Sequence, residues 1–161
     1  MKFEFVPMNL EYAKQIKTWK YKGFVKNIYV EPYFNSLDEK TGRMKGPEGC
    51  EGYAALNQDK LVGLFEYYFR GKIIEIGLAL KPDFVGKGYG AKLVKQGIDF
   101  GIDKFNYKGE YIKLNVNIEN KPAISVYKKV GFKEVKKEKD SIEMRKYIYF
   151  KGKIRLFVLF I

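Results

Sequence analysis

The sequence predicts a single-domain α/β (α+β) fold, with about seven strands in a mostly antiparallel sheet flanked by helices. Three observations lead there. Short segments that alternate apolar and polar residues recur between turn signals along the 161 residues. Other segments repeat apolar residues at helical spacing. A glycine-rich run, Val85-Gly86-Lys87-Gly88-Tyr89-Gly90-Ala91, stands between an apolar stretch and a helical pattern, an order that joins a strand to a helix through a tight turn.

Lys2 to Val6 reads as the first strand, with Phe3 and Phe5 on one face. Asn9 is placed to cap a short helix that ends before Trp19. Tyr21 to Cys50 mixes aromatics with Pro32, Gly42, Gly46, Pro47 and Gly49, and reads as a helix or two within a long loop. A meander follows. Strands over Gly52 to Leu56, Lys60 to Phe69 and Lys72 to Leu80 are joined at Asn57-Gln58-Asp59 and Arg70-Gly71. The helix from Gly88 to Phe105 places Val94, Ile98, Ile102 and Phe105 on one stripe. Tyr111 to Asn117 is a strand. Asn120 caps a helix running to Lys129, with Pro122 in its first turn and Gly131 at its end. Phe132 to Lys137 and Ser141 to Ile148 form an antiparallel pair.

The composition, 46% hydrophobic and 31% charged, is that of a globular chain with a sizeable core. Cys50 is the only cysteine and there is no histidine. An intramolecular disulfide, a cysteine zinc cluster, Ser-His or Cys-His nucleophiles and histidine metal sites are thereby excluded. Catalysis has to use carboxylates, tyrosine, lysine, backbone dipoles or water. The N-terminus alternates like a strand rather than a signal peptide and no apolar run spans a membrane, so a cytoplasmic location is expected. The apolar end, IRLFVLFI over 154–161, belongs to a tail (149–161) beyond the domain (1–148); it is read as an added strand or a homodimer contact.

Charge is uneven. Residues 1–75 carry 12 Lys+Arg and 10 Asp+Glu, whereas residues 76–161 carry 19 and 9. A lysine-rich solvated surface, steering of a polyanionic small ligand and contact with nucleic acid all fit this excess; a nucleic-acid partner is not the expectation.

The glycine run is an anion site by its chemistry. Glycines admit a ligand close to the backbone, and the free N–H groups and dipole of a helix start attract phosphate oxygens. The spacing is not GxGxxG, and no Gly-Lys-Ser/Thr closes it, so neither a dinucleotide fingerprint nor a P-loop is present.

Two segments, IIEIGLALKPDFVGKGYGAKLV (73–94) and LNVNIENKPAISVYKKVGF (114–132), together resemble the GNAT superfamily of acyl-CoA-dependent N-acyltransferases. The first is similar to that superfamily's strand and pyrophosphate loop, Arg/Gln-x-x-Gly-x-Gly/Ala, with Val85 where Arg or Gln is usual. The second is similar to its later strand-helix unit. The resemblance implies a central, mixed, mostly antiparallel twisted sheet. It also implies acetyl-CoA as acyl donor and direct attack by an amine in a ternary complex. Leu78, Ala79 and Leu80 would offer backbone groups to the pantetheine arm. Val85, Gly86, Lys87, Gly88, Tyr89, Gly90 and Ala91 would cradle the pyrophosphate, with Lys87 or Lys92 supplying charge. Asn120 would contact the cofactor, and Tyr127 would direct its hydroxyl at the sulfur, where the departing thiolate needs a proton.

Glu75 is the first candidate for the base, because it lies on the strand before the loop, near where some members of the superfamily carry a catalytic glutamate. Others carry one on the later strand, where this chain has Asn115. Glu66 is the alternative. The acceptor is expected to be a small-molecule amine or a protein amine, and no metal is required. The competing reading is a catalytically weak acyl-CoA-binding or RNA- or ribosome-associated module on the same fold.

Overall fold

The computed structural model describes residues 1–23 and 28–149. The strand or homodimer contact expected of the apolar run 154–161 lies outside the described residues. Seven strands, β1 (Glu4–Pro7), β2 (Glu51–Asn57), β3 (Lys60–Arg70), β4 (Ile73–Leu80), β5 (Tyr111–Asn117), β6 (Lys133–Lys137) and β7 (Ser141–Tyr147), form one sheet in the order β1-β2-β3-β4-β5-β7-β6. Every neighbouring pair is antiparallel except β4 and β5, which are parallel. The helices are α1 (Leu10–Lys17), α2 (Glu31–Asn35), α3 (Gly90–Lys104) and α4 (Lys121–Val130).

Strand alternation divides the core in two. On one face Phe65, Tyr67, Ile74 and Ile76 pack with Leu93, Val94 and Ile98 of α3 and Ile124 of α4. On the other, Ala54, Leu56 and Leu64 pack with Ala13 and Ile16 of α1 and Tyr33 of α2. The helix stripe expected on α3 is corrected at one end: the buried positions are Leu93, Val94, Gly97, Ile98 and Gly101, while Ile102 and Phe105 only flank the core. The aromatic rings of β3 are the reason. A Cβ on Gly97 would lie 2.2 Å from the Phe65 ring, and one on Gly101 2.4 Å from the Tyr67 ring, so α3 rests on β3 through glycines instead of branched side chains.

Local chemistry sets the ends of the elements. Asn9 Oδ1 accepts from Tyr12 N at 2.9 Å and starts α1. Asn120 Oδ1 accepts from Ala123 N at 3.2 Å and starts α4, which Gly131 closes at φ 100°. α3 begins at Gly90 and not at Gly88, because Gly86 and Gly88 take φ 74° and 79°, left-handed values that an α-helix excludes. Among its described residues, the long segment before β2 holds one short helix, α2, and a single 3₁₀ turn at Pro47–Gly49.

Candidate active site

The parallel strands part almost at once. β4 and β5 pair only at Ile74↔Ile112 and Glu75↔Lys113, so one edge of β4 runs on alone from Ile76 to Leu80. Which backbone groups this edge exposes follows from strand alternation. Lys81 N donates to Val62 O of β3 at 2.9 Å, so the N–H and C=O of Leu80, and by period two those of Leu78, turn away from β3 into the gap. Two side-chain bonds agree. Tyr107 Oη accepts from Ile74 N at 3.3 Å, and Tyr21 Oη donates to Leu80 O at 2.6 Å. This narrows the expected backbone contacts: Leu78 and Leu80 present theirs, while those of Ala79 face β3 and only its side chain borders the gap.

The gap is a cavity of about 370 Å³. Its walls bring together Leu78, Ala79, Leu80, Val85, Gly86, Gly88, Gly90, Ala91, Asn120 and Tyr127 of the sequence-predicted set. Two of the residues expected to hold the cofactor lie outside it, as does Glu75. Lys87 does not line the cavity, and Tyr89 packs on Phe84 at 5.9 Å between ring centroids and borders a second, larger depression beside Met1–Glu4. Pro122, Val126 and Lys129 also line the cavity and were not foreseen as ligand contacts, and Tyr21 joins them. On α4, Val126 stands one turn on from Pro122 and Ala123, which line the cavity with it. Tyr21 stands in irregular chain, where no period marks it.

The cavity suits an extended ligand carrying phosphate. An open strand edge pairs with amide groups much as another strand does. At the end of that edge the Gly86–Gly90 turn, with nothing within 4 Å of a Cβ built on Gly86 or Gly88, leads to the N-terminus of a 15-residue helix whose first N–H groups have no helical acceptor. Val85 is 53% exposed beside it and offers apolar surface where a cation is usual. Burial alone pushes the Tyr127 phenol up to about 12, so its oxygen keeps its proton at neutral pH.

The carboxylates occupy the other face of the sheet. Glu66 lies over the strand position of Gly77, its register partner, and a Cβ there would meet Glu66 Oε2 at 3.2 Å. Glu66 is buried. It accepts hydrogen bonds from Tyr33 Oη at 2.7 Å and Tyr68 Oη at 2.9 Å. Desolvation raises its pKa, and the tyrosine hydrogen bonds only partly offset this. Tyr33 thereby ties α2 to β3. Cys50 Sγ lies 3.8 Å from Tyr33 Oη, and burial with the nearby Glu66 charge pushes its thiol up to about 12. Glu75 lies on the same face as Glu66 and does not line the cavity. Its Oε1 accepts from Asn115 Nδ2 at 2.9 Å and its Oε2 from Arg70 Nε at 3.1 Å, with Lys113 Nζ at 3.8 Å. Asn115, one of the two positions considered for a base, is therefore the hydrogen-bond donor to the other.

Glu66 makes stability depend on pH with an unusual sign for a carboxylate. Its folded pKa lies above the unfolded value of about 4.3. The folded chain holds a proton that the unfolded chain has lost, so stability is full below the unfolded pKa and falls as pH rises toward the folded one. Glu66→Gln removes that slope. Its melting temperature is expected to gain on the parent between pH 4 and pH 7, as checked by thermal unfolding across that range; a constant difference would mean that Glu66 is not held neutral.

An open strand edge ending in a glycine-rich helix start, in a sheet of this topology, forms a site for an extended ligand that carries phosphate. The chain belongs to the Acetyltransferase (GNAT) family, whose sequence pattern matches residues 14–132. Among curated relatives, the spermidine N(1)-acetyltransferase of Escherichia coli K12 is 32% identical over 83 residues, 52% of this chain and 41% of that protein. The spermidine N(1)-acetyltransferase of Vibrio cholerae is 30% identical over 112 residues, 66% and 64%. The chain thus spans less than two thirds of the length of these relatives. Among solved structures, Campylobacter jejuni N-acetyltransferase PseH in complex with acetyl coenzyme A superposes with a TM-score of 0.68 at 17% identity, over 91% of this chain and 99% of that one. The Escherichia coli ribosomal-protein-S18-alanine N-acetyltransferase gives 0.67 at 15%, over 95% and 98%. Likeness at these identities is likeness of fold. No helix among the described residues is long and apolar enough to cross a membrane.

Proposed function

We propose that the chain transfers an acetyl group from acetyl-CoA to a primary amine, by direct attack within a ternary complex. The observation that carries this reading is the continuity of three features around one cavity: the backbone groups that Leu78 and Leu80 turn into the gap, the Gly86–Gly90 turn at the start of α3, and Tyr127. Family membership and the acetyl coenzyme A bound by PseH point to the same donor.

Acetyl-CoA supplies an activated acyl carbon and a thiolate leaving group. The rest falls to this chain. N–H groups at the start of α3 hold the pyrophosphate with little need of a side chain at Val85. The Leu80 N–H polarises the thioester carbonyl as charge develops on its oxygen. An alkylammonium, with a pKa near about 10.4, sheds two protons on becoming an amide. Glu75 takes the first, which passes to solvent. The second leaves nitrogen after attack and reaches sulfur through the Tyr127 hydroxyl, which gives one proton and regains one. Burial favours Glu66 as a second reading for the base, since a raised pKa matches it better to neutral pH. The acceptor is a small amine or a protein amine, and the names of the curated relatives make spermidine the first to try.

Thermal unfolding with acetyl-CoA, CoA, NAD and ATP tests the donor. At a ligand concentration 100 times Kd the stabilisation is about 2.7 kcal/mol, or roughly 5–10 °C for a chain of this size. The CoA compounds are expected to stabilise selectively, after which a panel of amines with thiol detection identifies the acceptor. Stabilisation by NAD and not by CoA would reject the reading.

A further inference from the structure

The two strands that open to form the cavity are held together, at the point where they part, by side chains on the opposite face. The last backbone-paired position is Glu75↔Lys113. Asn115, two residues further along β5 on the same face, reaches back across the gap to Glu75, its Nδ2 2.9 Å from Oε1. A carboxylate only accepts, so the amide must present its nitrogen, and the orientation of Asn115 is settled by its partner. The remaining charges around the pair come from every strand that flanks it. Arg70 of β3 binds Oε2 of Glu75, and Tyr68 is its register partner. Lys113 of β5 lies between Glu75 and Glu143 of β7, at 3.8 and 3.5 Å. Outside these, Arg145 pairs with Glu143 and Arg70 with Glu48.

We propose that Asn115 is a positioning residue: its amide holds the Glu75 carboxylate at the apex of the parting strands, fixing the direction from which that carboxylate meets the acceptor amine. The inference rests on the reading of Glu75 as the base. Asn115 is suited to this as no acid is. Its register partner on β7 is Glu143, so an aspartate at 115 would stand between two carboxylates. A third negative charge beside them disfavours ionisation of each. An apolar residue of similar size would leave Glu75 to Arg70 of β3 and Lys113 of β5, which draw it off the apex toward β3 or back along β5. Misplacement of a reacting group by about 1 Å costs on the order of 100-fold in rate.

The test has two readouts. In the full chain, the side-chain amide signal of Asn115 should follow a carboxylate titration by NMR, and should cease to do so in Glu75→Gln. In steady-state kinetics with acetyl-CoA and spermidine, or with the amine that the panel returns, Asn115→Leu should lower kcat by roughly 10- to 100-fold and leave the KM for acetyl-CoA within about twofold. Asn115→Asp, which keeps the side-chain shape, should move the acid limb of kcat/KM upward by about one pH unit or more. Wild-type kcat in Asn115→Leu, with Glu75→Gln inactive, would overturn the positioning role and leave the base in place. Full activity in Glu75→Gln would overturn both. If no amine is turned over, an amide signal that ignores the titration still overturns the contact.

Discussion

Tyr127→Phe is expected to lower kcat by about 10²- to 10⁴-fold while leaving acetyl-CoA binding almost intact. The expectation comes from the burial that pushes the phenol up to about 12. At neutral pH the oxygen always carries its proton, so it faces the ligand as a donor and never as a competing anion. A thiolate leaving a tetrahedral centre beside an apolar helix face, Ala123 and Val126 of α4 among its walls, has little water to stabilise it. In the proposed mechanism the Tyr127 hydroxyl supplies a proton there. Phenylalanine keeps the ring that meets Phe132 at 5.9 Å between centroids, so the packing of α4 survives and the melting temperature should change by no more than a few degrees. Thermal stabilisation by acetyl-CoA separates the outcomes. Lost turnover with retained stabilisation assigns Tyr127 to chemistry. Loss of both assigns it to the cavity wall. Unchanged turnover removes it from the mechanism.

Much of this arrangement was legible in the residues, for identifiable reasons. β5 and β7 alternate buried with less buried residues and carry period two, while β2 and β3, buried on both faces, were marked as apolar runs between turn residues; β2 to β5 and β7 were found within a residue or two of their ends. Helix caps act locally, so Asn9, Asn120 and Gly131 could be read without tertiary information. The Gly86–Gly90 turn was legible because glycines mark where the backbone takes a tight, exposed turn. What escaped depends on long-range packing. Gly97 and Gly101 broke the helix stripe because the bulk at that contact comes from Phe65 and Tyr67 on another element. Tyr21 caps Leu80 across 59 residues, and no local pattern announces it. The alternation that turns Leu78 and Leu80 into the gap but Ala79 toward β3 depends on the register with β3, which one-residue shifts invert. For the same reason the chain pattern showed that Glu66 and Glu75 lie on neighbouring strands but not that they share a face.

Glu75→Gln and Glu66→Gln should therefore differ in kind. If Glu75 is the base, Glu75→Gln is expected to lower kcat/KM for the amine by about 10²- to 10⁴-fold at neutral pH, with the deficit shrinking as pH rises and more of the amine arrives unprotonated. Acetyl-CoA stabilisation should persist, because Glu75 stands on the sheet face away from the cavity. Glu66→Gln should then lower kcat/KM only modestly, through the loosened hold of Tyr33 on α2, with an unchanged pH profile. The opposite pattern, a collapse in Glu66→Gln that takes the acid limb of the profile with it, would move the base to the buried carboxyl and make Tyr68, whose hydroxyl donates to it, the route by which the proton arrives. The geometry favours the first outcome on grounds of access. Both Glu66 oxygens are engaged by tyrosines inside the core. The Glu75 carboxylate is held by polar groups at the strand opening, its side chain 17% exposed, and can pass a proton to water after each turnover.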